Sequence, residues 1–312
     1  MPAKWSGSGW SARASNNTVP RAFEWVDVFT ATPGGGNPLP VVLDAEGLTS
    51  AQMQAVAREF NTVETTFVLP PVDPAHTAQI RIFTPKLELP FAGHPNVGTA
   101  YVLARRGTVF GRPVPDLLLF EEQAGIVPVQ ILRDGAVVVG ASFQAPAPFT
   151  RGPDVGRDLV AGALGLDVCA IEISLHGPLV GSVGLPFVLV ALQSRAALAG
   201  IRADAAGLAR LVGSSGTTGV LAYAPADGPG ACDFHARMFC LQPNLIEDPA
   251  TGSANAALVA LRASLLQAPQ RYMIGQGAEM GRPSLLQAWT LADGTVHVGG
   301  YCAAVLTGHL AT

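Results

Sequence analysis

Residues 94–100 read His-Pro-Asn-Val-Gly-Thr-Ala and residues 248–254 read Asp-Pro-Ala-Thr-Gly-Ser-Ala, so proline, glycine, a small hydroxyl residue and alanine recur in register 154 positions apart. That spacing is close to half of a 312-residue chain, and the flanking segments repeat in the same order. Arg81-Ile82-Phe83 precedes the first loop and Arg237-Met238-Phe239 the second. Further back, Gly36-Asn37-Pro38-Leu39-Pro40-Val41-Val42 corresponds to Gly184-Leu185-Pro186-Phe187-Val188-Leu189-Val190, and helical stretches follow at 49–60 and 202–212. Four matched pieces in one order imply an internal duplication.

Each half then reads as strand, Gly/Pro turn, strand, helix, strand, hairpin and a loop feeding a second helix. The strands rest on β-branched runs such as Glu64 to Leu69 and Gln79 to Phe83, bounded by proline and glycine. The second helices are expected over 98–105 and 253–266, each opening on a capping hydroxyl. The run Ala254-Asn255-Ala256-Ala257-Leu258-Val259-Ala260-Leu261 is apolar nearly all round, so that helix should lie buried inside a sheet that wraps it. The expected class is α+β, with two pseudo-symmetric lobes, each a mostly antiparallel sheet or barrel around a central helix.

Composition agrees with a two-lobed enzyme. Apolar residues make up 49% and charged ones 13%, which suits large buried sheets and argues against disorder. A formal net charge of -4, with no Lys/Arg run, gives no attraction for nucleic acid or an anionic membrane surface. Cys169, Cys232, Cys240 and Cys302 lack metal-ligand spacing and read as buried thiols of a reducing compartment. Residues 1–20 are rich in Ser, Ala and Asn, without an apolar core, and read as a flexible extension. No stretch approaches the roughly 20 apolar residues that span a bilayer, and a cytoplasmic protein is expected. The N-terminal lobe should occupy 21–145, completed by a C-terminal strand at about 298–312, and the C-terminal lobe 146–297.

A loop running Pro-x-x-Gly-[Ser/Thr]-Ala into a buried helix leaves backbone N–H groups free at the positive end of the helix dipole, which favours an anion. Gly98 and Gly252 would admit a carboxylate close to the backbone, and Thr99 and Ser253 would add hydroxyl donors. For one loop alone, small residues packing a core helix explain the pattern equally well. Duplication favours two such sites facing each other across an inter-lobe cleft. His94 stands at one loop and Asp248, preceded by Glu247, at the other, and unlike groups on a symmetric scaffold suit proton removal and delivery. Asp248 also fits a helix cap, and His94 a turn-bonding side chain. Glu64 would ordinarily be a solvated strand residue; in a dry cleft its pKa would rise and let it carry a proton both ways.

The sequence lacks GxGxxG, GxxxxGK[ST], HExxH and GxSxG, which removes the usual supports for nucleotide, zinc-protease and esterase readings. No metal or organic cofactor is expected. Gly34-Gly35-Gly36-Asn37-Pro38 reads as a flexible turn near the site. Neither repeated loop holds a cysteine, so a two-thiol racemase mechanism has no reagents.

Eight collinear segments resemble the PhzF-like phenazine-biosynthesis proteins, which share the diaminopimelate epimerase fold. They are Asp27-Val28-Phe29-Thr30 with Gly36-Asn37-Pro38, Glu64-Thr65-Thr66-Phe67, Arg81-Ile82-Phe83-Thr84-Pro85, Glu88-Leu89-Pro90-Phe91-Ala92-Gly93-His94-Pro95, Glu247-Asp248-Pro249-Ala250-Thr251-Gly252-Ser253-Ala254, Gln276-Gly277, Gly281-Arg282-Pro283-Ser284 and Val298-Gly299-Gly300. The resemblance runs from about Phe23 to the C-terminus. It implies a homodimer and a cofactor-free isomerase acting on a small carboxylate-bearing, cyclic amino acid-like substrate. It implies Glu64 as general acid/base, assisted by His94, Asp248 and Ser253, with Gly93 and Gly252 offering backbone contacts to the carboxylate. Asn37, Gly98, Thr99, Gln276, Arg282 and Ser284 complete the expected substrate-binding set. In the epimerase relatives these loops carry two catalytic cysteines; here the first position resembles His94 and the second falls at or beside Asp248 and Pro249. The first loop and the plain turn at Ala124-Gly125-Ile126 depart from the family pattern, which leaves the substrate open. Two other functions fit the same residues: an amino-acid epimerase using Glu64 and Asp248 on opposite faces, and a non-catalytic small-anion-binding dimer. Glu64, His94 and Asp248 together favour catalysis, because a binder has no need of that combination.

Overall fold

The computed structural model describes residues 20–311 except 229, 243 and 244; most of the expected extension at 1–20 lies outside the described residues. The first lobe contains β1 (Arg21–Val28), β2 (Asn37–Val42), α1 (Ser50–Phe60), β3 (Thr65–Leu69), β4 (Ala78–Phe83), β5 (Glu88–Leu89) and α2 (Gly93–Arg106). A small hairpin, β6 (Thr108–Val109) and β7 (Arg112–Pro113), leads to β8 (Leu117–Glu122), β9 (Gly125–Asp134) and β10 (Val137–Gln144). The second lobe contains β11 (Thr150–Asp154), α3 (Arg157–Leu164), β12 (Leu179–Ser182), β13 (Pro186–Ala191), α4 (Arg195–Ala199), α5 (Ala205–Ser215), β14 (Gly219–Pro225) and β15 (Phe234–Gln242). It continues with β16 (Leu245–Asp248), α6 (Gly252–Leu266), β17 (Arg271–Gln276) and β18 (Ser284–Thr290), and the chain ends on β19 (Val296–Leu310).

In the first lobe β1, β2, β3, β4, β8, β9, β10 and β19 pair in that order, and β19 returns to β1, closing a barrel. Helix α2 runs through it, buried from Gly93 to Ala104. The second lobe repeats the order as β12, β13, β14, β15, β17, β18 and β19 around α6. Strand β19 belongs to both, since Val298 faces Ala288 on β18 and Phe143 on β10. The fold is therefore α+β with two pseudo-symmetric lobes. Each sheet is covered outside by amphipathic helices: α1 presses Met53 and Val56 against Val42 and Phe67, and α3 and α5 press Val160, Leu164, Leu208 and Leu211 against Val188, Val190 and Val220.

Local signals set most boundaries. Thr49 and Gln52 form a capping box at the start of α1, and Asp204 caps α5, which therefore begins three residues later than the stretch expected from 202. Helix α2 differs more. It starts at Gly93, five residues before the expected start at Gly98, because Pro95 falls in the first turn, where an N–H would have no helical partner. The glycine run 34–36 is held firmly rather than flexible: Gly36 has φ +62 and a Cβ there would lie 2.3 Å from the Val28 carbonyl oxygen. Cys240 and Cys302 are buried as expected, whereas Cys169 is exposed and Cys232 half-buried. Among the described residues no helix is long and apolar enough to cross a membrane.

Candidate active site

The two central helices meet at their N-termini. A Cβ on Gly93 would come within 3.2 Å of the Ser253 backbone nitrogen, so the first turns of α2 and α6 abut. The N–H groups at the start of each helix have no intrahelical acceptor, and the positive ends of two dipoles converge on one place. Beside them opens a cavity of about 330 Å³, lined by Glu64, His94, Asp248 and Thr251 together with Gly93, Gly252 and Ser253.

Glu64 enters from the first lobe. Asn61 ends α1 in the left-handed conformation, and the Thr62 hydroxyl donates to the Glu64 carbonyl at 2.9 Å, which fixes the acid just before β3. Its carboxylate lies 3.4 Å from His94 Nδ1, and both residues are buried. Burial holds the His94 imidazole down to about 3, so it is neutral across the physiological range. His94 Nε2 has no hydrogen-bond partner among the described residues.

Asp248 enters from the second lobe at the end of β16. It accepts from Asn37 Nδ2 at 2.8 Å and from the Thr251 hydroxyl at short range. Burial pushes its carboxyl up to about 6, against the pull of these two donors. Asn37 sits at the start of β2, so the bond crosses between lobes, and its amide also donates to the Ala250 carbonyl at 3.0 Å. Gln276 lies beneath: its amide donates to the Asp248 carbonyl at 2.8 Å and accepts from Asn255 Nδ2 at 2.8 Å.

A sequence profile of the phenazine biosynthesis-like proteins, PhzC-PhzF, matches residues 26–308. The chain belongs to this family. It is 35% identical over 295 residues to an uncharacterized isomerase of Mesorhizobium japonicum, covering 91% of this chain and 96% of that one. It is 38% identical over 269 residues to a trans-2,3-dihydro-3-hydroxyanthranilate isomerase of Pseudomonas chlororaphis, covering 84% and 88%. The crystal structure of the Bacillus anthracis PhzF-family phenazine biosynthesis protein superposes with a TM-score of 0.82 at 25% identity, covering 94% and 99%. The fold is the diaminopimelate epimerase-like one, and the protein is an isomerase.

Within this PhzC-PhzF protein, Glu64, His94, Asp248, Ser253, Gly93 and Gly252 share the cavity wall. The other six expected binding residues stand behind or away from it. Gly98 lies in the second turn of α2, where a Cβ would come within 2.6 Å of Leu39 Cδ2 and 2.7 Å of Val28 Cγ2; packing, not ligand approach, explains it. The Thr99 hydroxyl is bonded to that of Thr66 at 2.9 Å in the core. Arg282 grips Asp27 at 2.6 Å and the carbonyls of Gly35 and Gly36, stapling the β1–β2 turn. The Ser284 hydroxyl donates to the Pro249 carbonyl at 3.1 Å, and Asn37 and Gln276 hold Asp248 and its loop.

The sequence reading missed the rest of the wall. Leu89, Phe91, Leu185, Phe187, Met238 and Leu241 make it largely apolar, with Thr84, Lys86 and Thr218 among its polar members. Lys86 had a signal, since it follows the Arg81–Pro85 motif directly; Leu89, Phe91, Leu185, Phe187 and Met238 stand inside the quoted motif and repeat segments, but an apolar side chain there reads equally well as core.

Proposed function

We propose that this protein is a cofactor-independent isomerase that shifts a proton on a small carboxylate-bearing, ring-containing substrate by general acid/base catalysis. The observation that carries the reading is the facing of two unlike titratable sites, Glu64 with neutral His94 and Asp248 with a carboxyl raised to about 6, in the wall of one largely apolar cavity. The convergent N-termini of α2 and α6 would hold the substrate carboxylate through the N–H groups at Gly93 and Gly252, and Leu89, Phe91 and Phe187 would enclose an apolar ring. Glu64 would take the proton, since its carboxylate lies in the cavity wall beside an imidazole that carries no competing charge. Asp248, with Ser253, would steer or receive protons from the other face.

The substrate named for the Pseudomonas chlororaphis relative is the first probe. The protein is incubated in deuterated water with trans-2,3-dihydro-3-hydroxyanthranilate and followed by proton NMR, beside Glu64→Gln. Substrate loss with deuterium at a ring carbon, absent in the variant, supports the reading. Turnover undiminished in Glu64→Gln refutes the role of Glu64. Deuterium entering an amino-acid α-carbon with loss of optical purity would point to epimerisation.

A further inference from the structure

The cavity uses Glu64, His94 and Asp248 but leaves one buried carboxyl without a task. Glu122 ends β8, and both of its carboxylate oxygens are enclosed, with no well-formed hydrogen bond to either and the Asn96 side chain as the group that bears on them. Its neighbour Glu121 is fully engaged elsewhere: it accepts from the Val72 and Asp73 backbone N–H groups and contacts His76 Nδ1 at 2.8 Å.

Strand register gives Glu122 a counterpart. Phe120 stands opposite Ala78 in the β4–β8 ladder, and Ile274 stands opposite Phe234 in the β15–β17 ladder. Arg81 and Arg237 lie three residues beyond Ala78 and Phe234, each clamping a glutamate, so the two ladders are in the same frame. Two residues beyond Phe120 and Ile274 come Glu122 and Gln276.

Gln276 shows what that position does. Its carbonyl oxygen accepts from Asn255 Nδ2 at 2.8 Å and from the Thr251 N–H at 3.2 Å. Its amide donates to the Asp248 carbonyl at 2.8 Å and to the Thr251 hydroxyl at 3.1 Å. The loop carrying Asp248 is thereby tied to the buried Asn255. Asn96 occupies Asn255's place in the first lobe, for each donates to the carbonyl four residues back, Ala92 or Thr251, at 3.0 Å. A glutamate reproduces a carboxamide here only when protonated, because an ionised carboxylate has no hydrogen to donate.

We propose that Glu122 is the positioning residue of the His94 loop, holding Asn96 and residues 89–92 from the place Gln276 occupies beneath Asp248, and that it acts as a neutral carboxylic acid. Burial pushes its carboxyl up to about 8, with Asn96 pulling the other way. The charged groups on the elements around it are engaged elsewhere: Arg81 of β4 clamps Glu88, Glu121 of β8 holds His76, and His94 of α2 is neutral beside Glu64. The residues of β9 nearest the turn, Gly125 and Ile126, carry no charge. The folded protein holds this proton more tightly than an unfolded chain with a Glu pKa of about 4.3. Stability is therefore fully present below that value, declines as pH rises towards about 8 and levels off above it.

The effect on turnover rests on the isomerase reading; the effects on stability and on the loop do not, and they are the ones to measure. Thermal unfolding of the full chain is followed from pH 5.5 to 9.5 for wild type, Glu122→Gln and Glu122→Leu, with His94 ring resonances read by nitrogen-15 NMR at pH 6.5. Glu122→Gln is expected to lose less stability with rising pH and to melt about 5 °C above wild type at pH 9, with His94 resonances at wild-type positions. Glu122→Leu is expected to displace those resonances. A Glu122→Gln protein that tracks the wild-type pH dependence overturns the neutral acid, and unshifted His94 resonances in Glu122→Leu overturn the positioning role.

Discussion

The two lobes carry the same frame with different reagents on it. Arg81 clamps Glu88 and Arg237 clamps Glu247, in each case through Nε and Nη2 at 2.6–2.7 Å. Asn96 and Asn255 make the same bond at the start of each central helix. At the cavity the likeness ends. His94 in the second position of α2 answers to Ser253 in the second position of α6, and ladder register sets Glu64 against Gly219, where a Cβ would meet the Phe239 carbonyl oxygen at 2.4 Å. Asp248, at the end of β16, answers to Leu89 at the end of β5. Duplication thus preserved what orients the helices and let the titratable groups at the cavity diverge, one acid from each lobe at non-equivalent places.

That asymmetry breaks most sharply at Glu64. Glu64→Gln is expected to lower kcat by about 10³-fold with little change in KM, as loss of a general acid/base does; steady-state kinetics on the substrate identified by NMR checks it. A next test compares the arginine clamps. Arg237 is buried and also donates to the Leu198 and Ile201 carbonyls, so Arg237→Ala should cost about 3–5 kcal/mol by stranding Glu247. Arg81 is partly exposed and, besides Glu88, donates to the Ser50 hydroxyl and lies over the Phe83 ring, so Arg81→Ala should cost about 1 kcal/mol or less. Denaturant unfolding of the two variants decides whether the frame is as lopsided energetically as it is in burial.

A third comparison sets the helix glycines apart. Gly98→Ala drives a methyl into Leu39 and Val28 and should cost about 1–3 kcal/mol while leaving turnover per folded molecule intact. Gly252→Ala meets Phe143 only at 3.2 Å, so its damage should fall mainly on KM. The smallest effect is expected at the bridge between lobes. Asn37→Ala removes one of two donors to Asp248, and stability should fall by about 1 kcal/mol. The wild-type pH–rate profile should bend near pH 6, Asp248 carrying its proton below that value and losing it above. In Asn37→Ala the bend should move upward, because a carboxylate with fewer donors holds its proton to higher pH; a bend that stays put would detach Asp248 from it.

Much of this was legible in the chain itself. The repeated segments named the duplication, and the apolar run 254–261 named a helix that the sheet encloses, as the burial of Ala254 to Leu261 bears out. His94 and Asp248 were singled out by residue type and loop position and Glu64 by the family resemblance, and the fold brings all three to one cavity. The loop match at 154 residues, however, pairs His94 with Asp248, and the structure pairs His94 with Ser253. Identity of residue type placed Pro95 over Pro249, although Pro95 lies inside the first turn of its helix and Pro249 lies before the other.

The sequence by itself determined the duplicated α+β fold and the presence of titratable residues where the halves differ, because hydrophobic periodicity and recurrent turn chemistry act locally and are written residue by residue. Only the tertiary structure decided which positions are equivalent, that Asn37 reaches across to Asp248, that Arg282 is a staple, and which apolar side chains line the cavity. Those facts depend on ladder register and on where each helix begins. They are settled by hydrogen bonds between segments up to 255 residues apart, a distance over which no local pattern carries information.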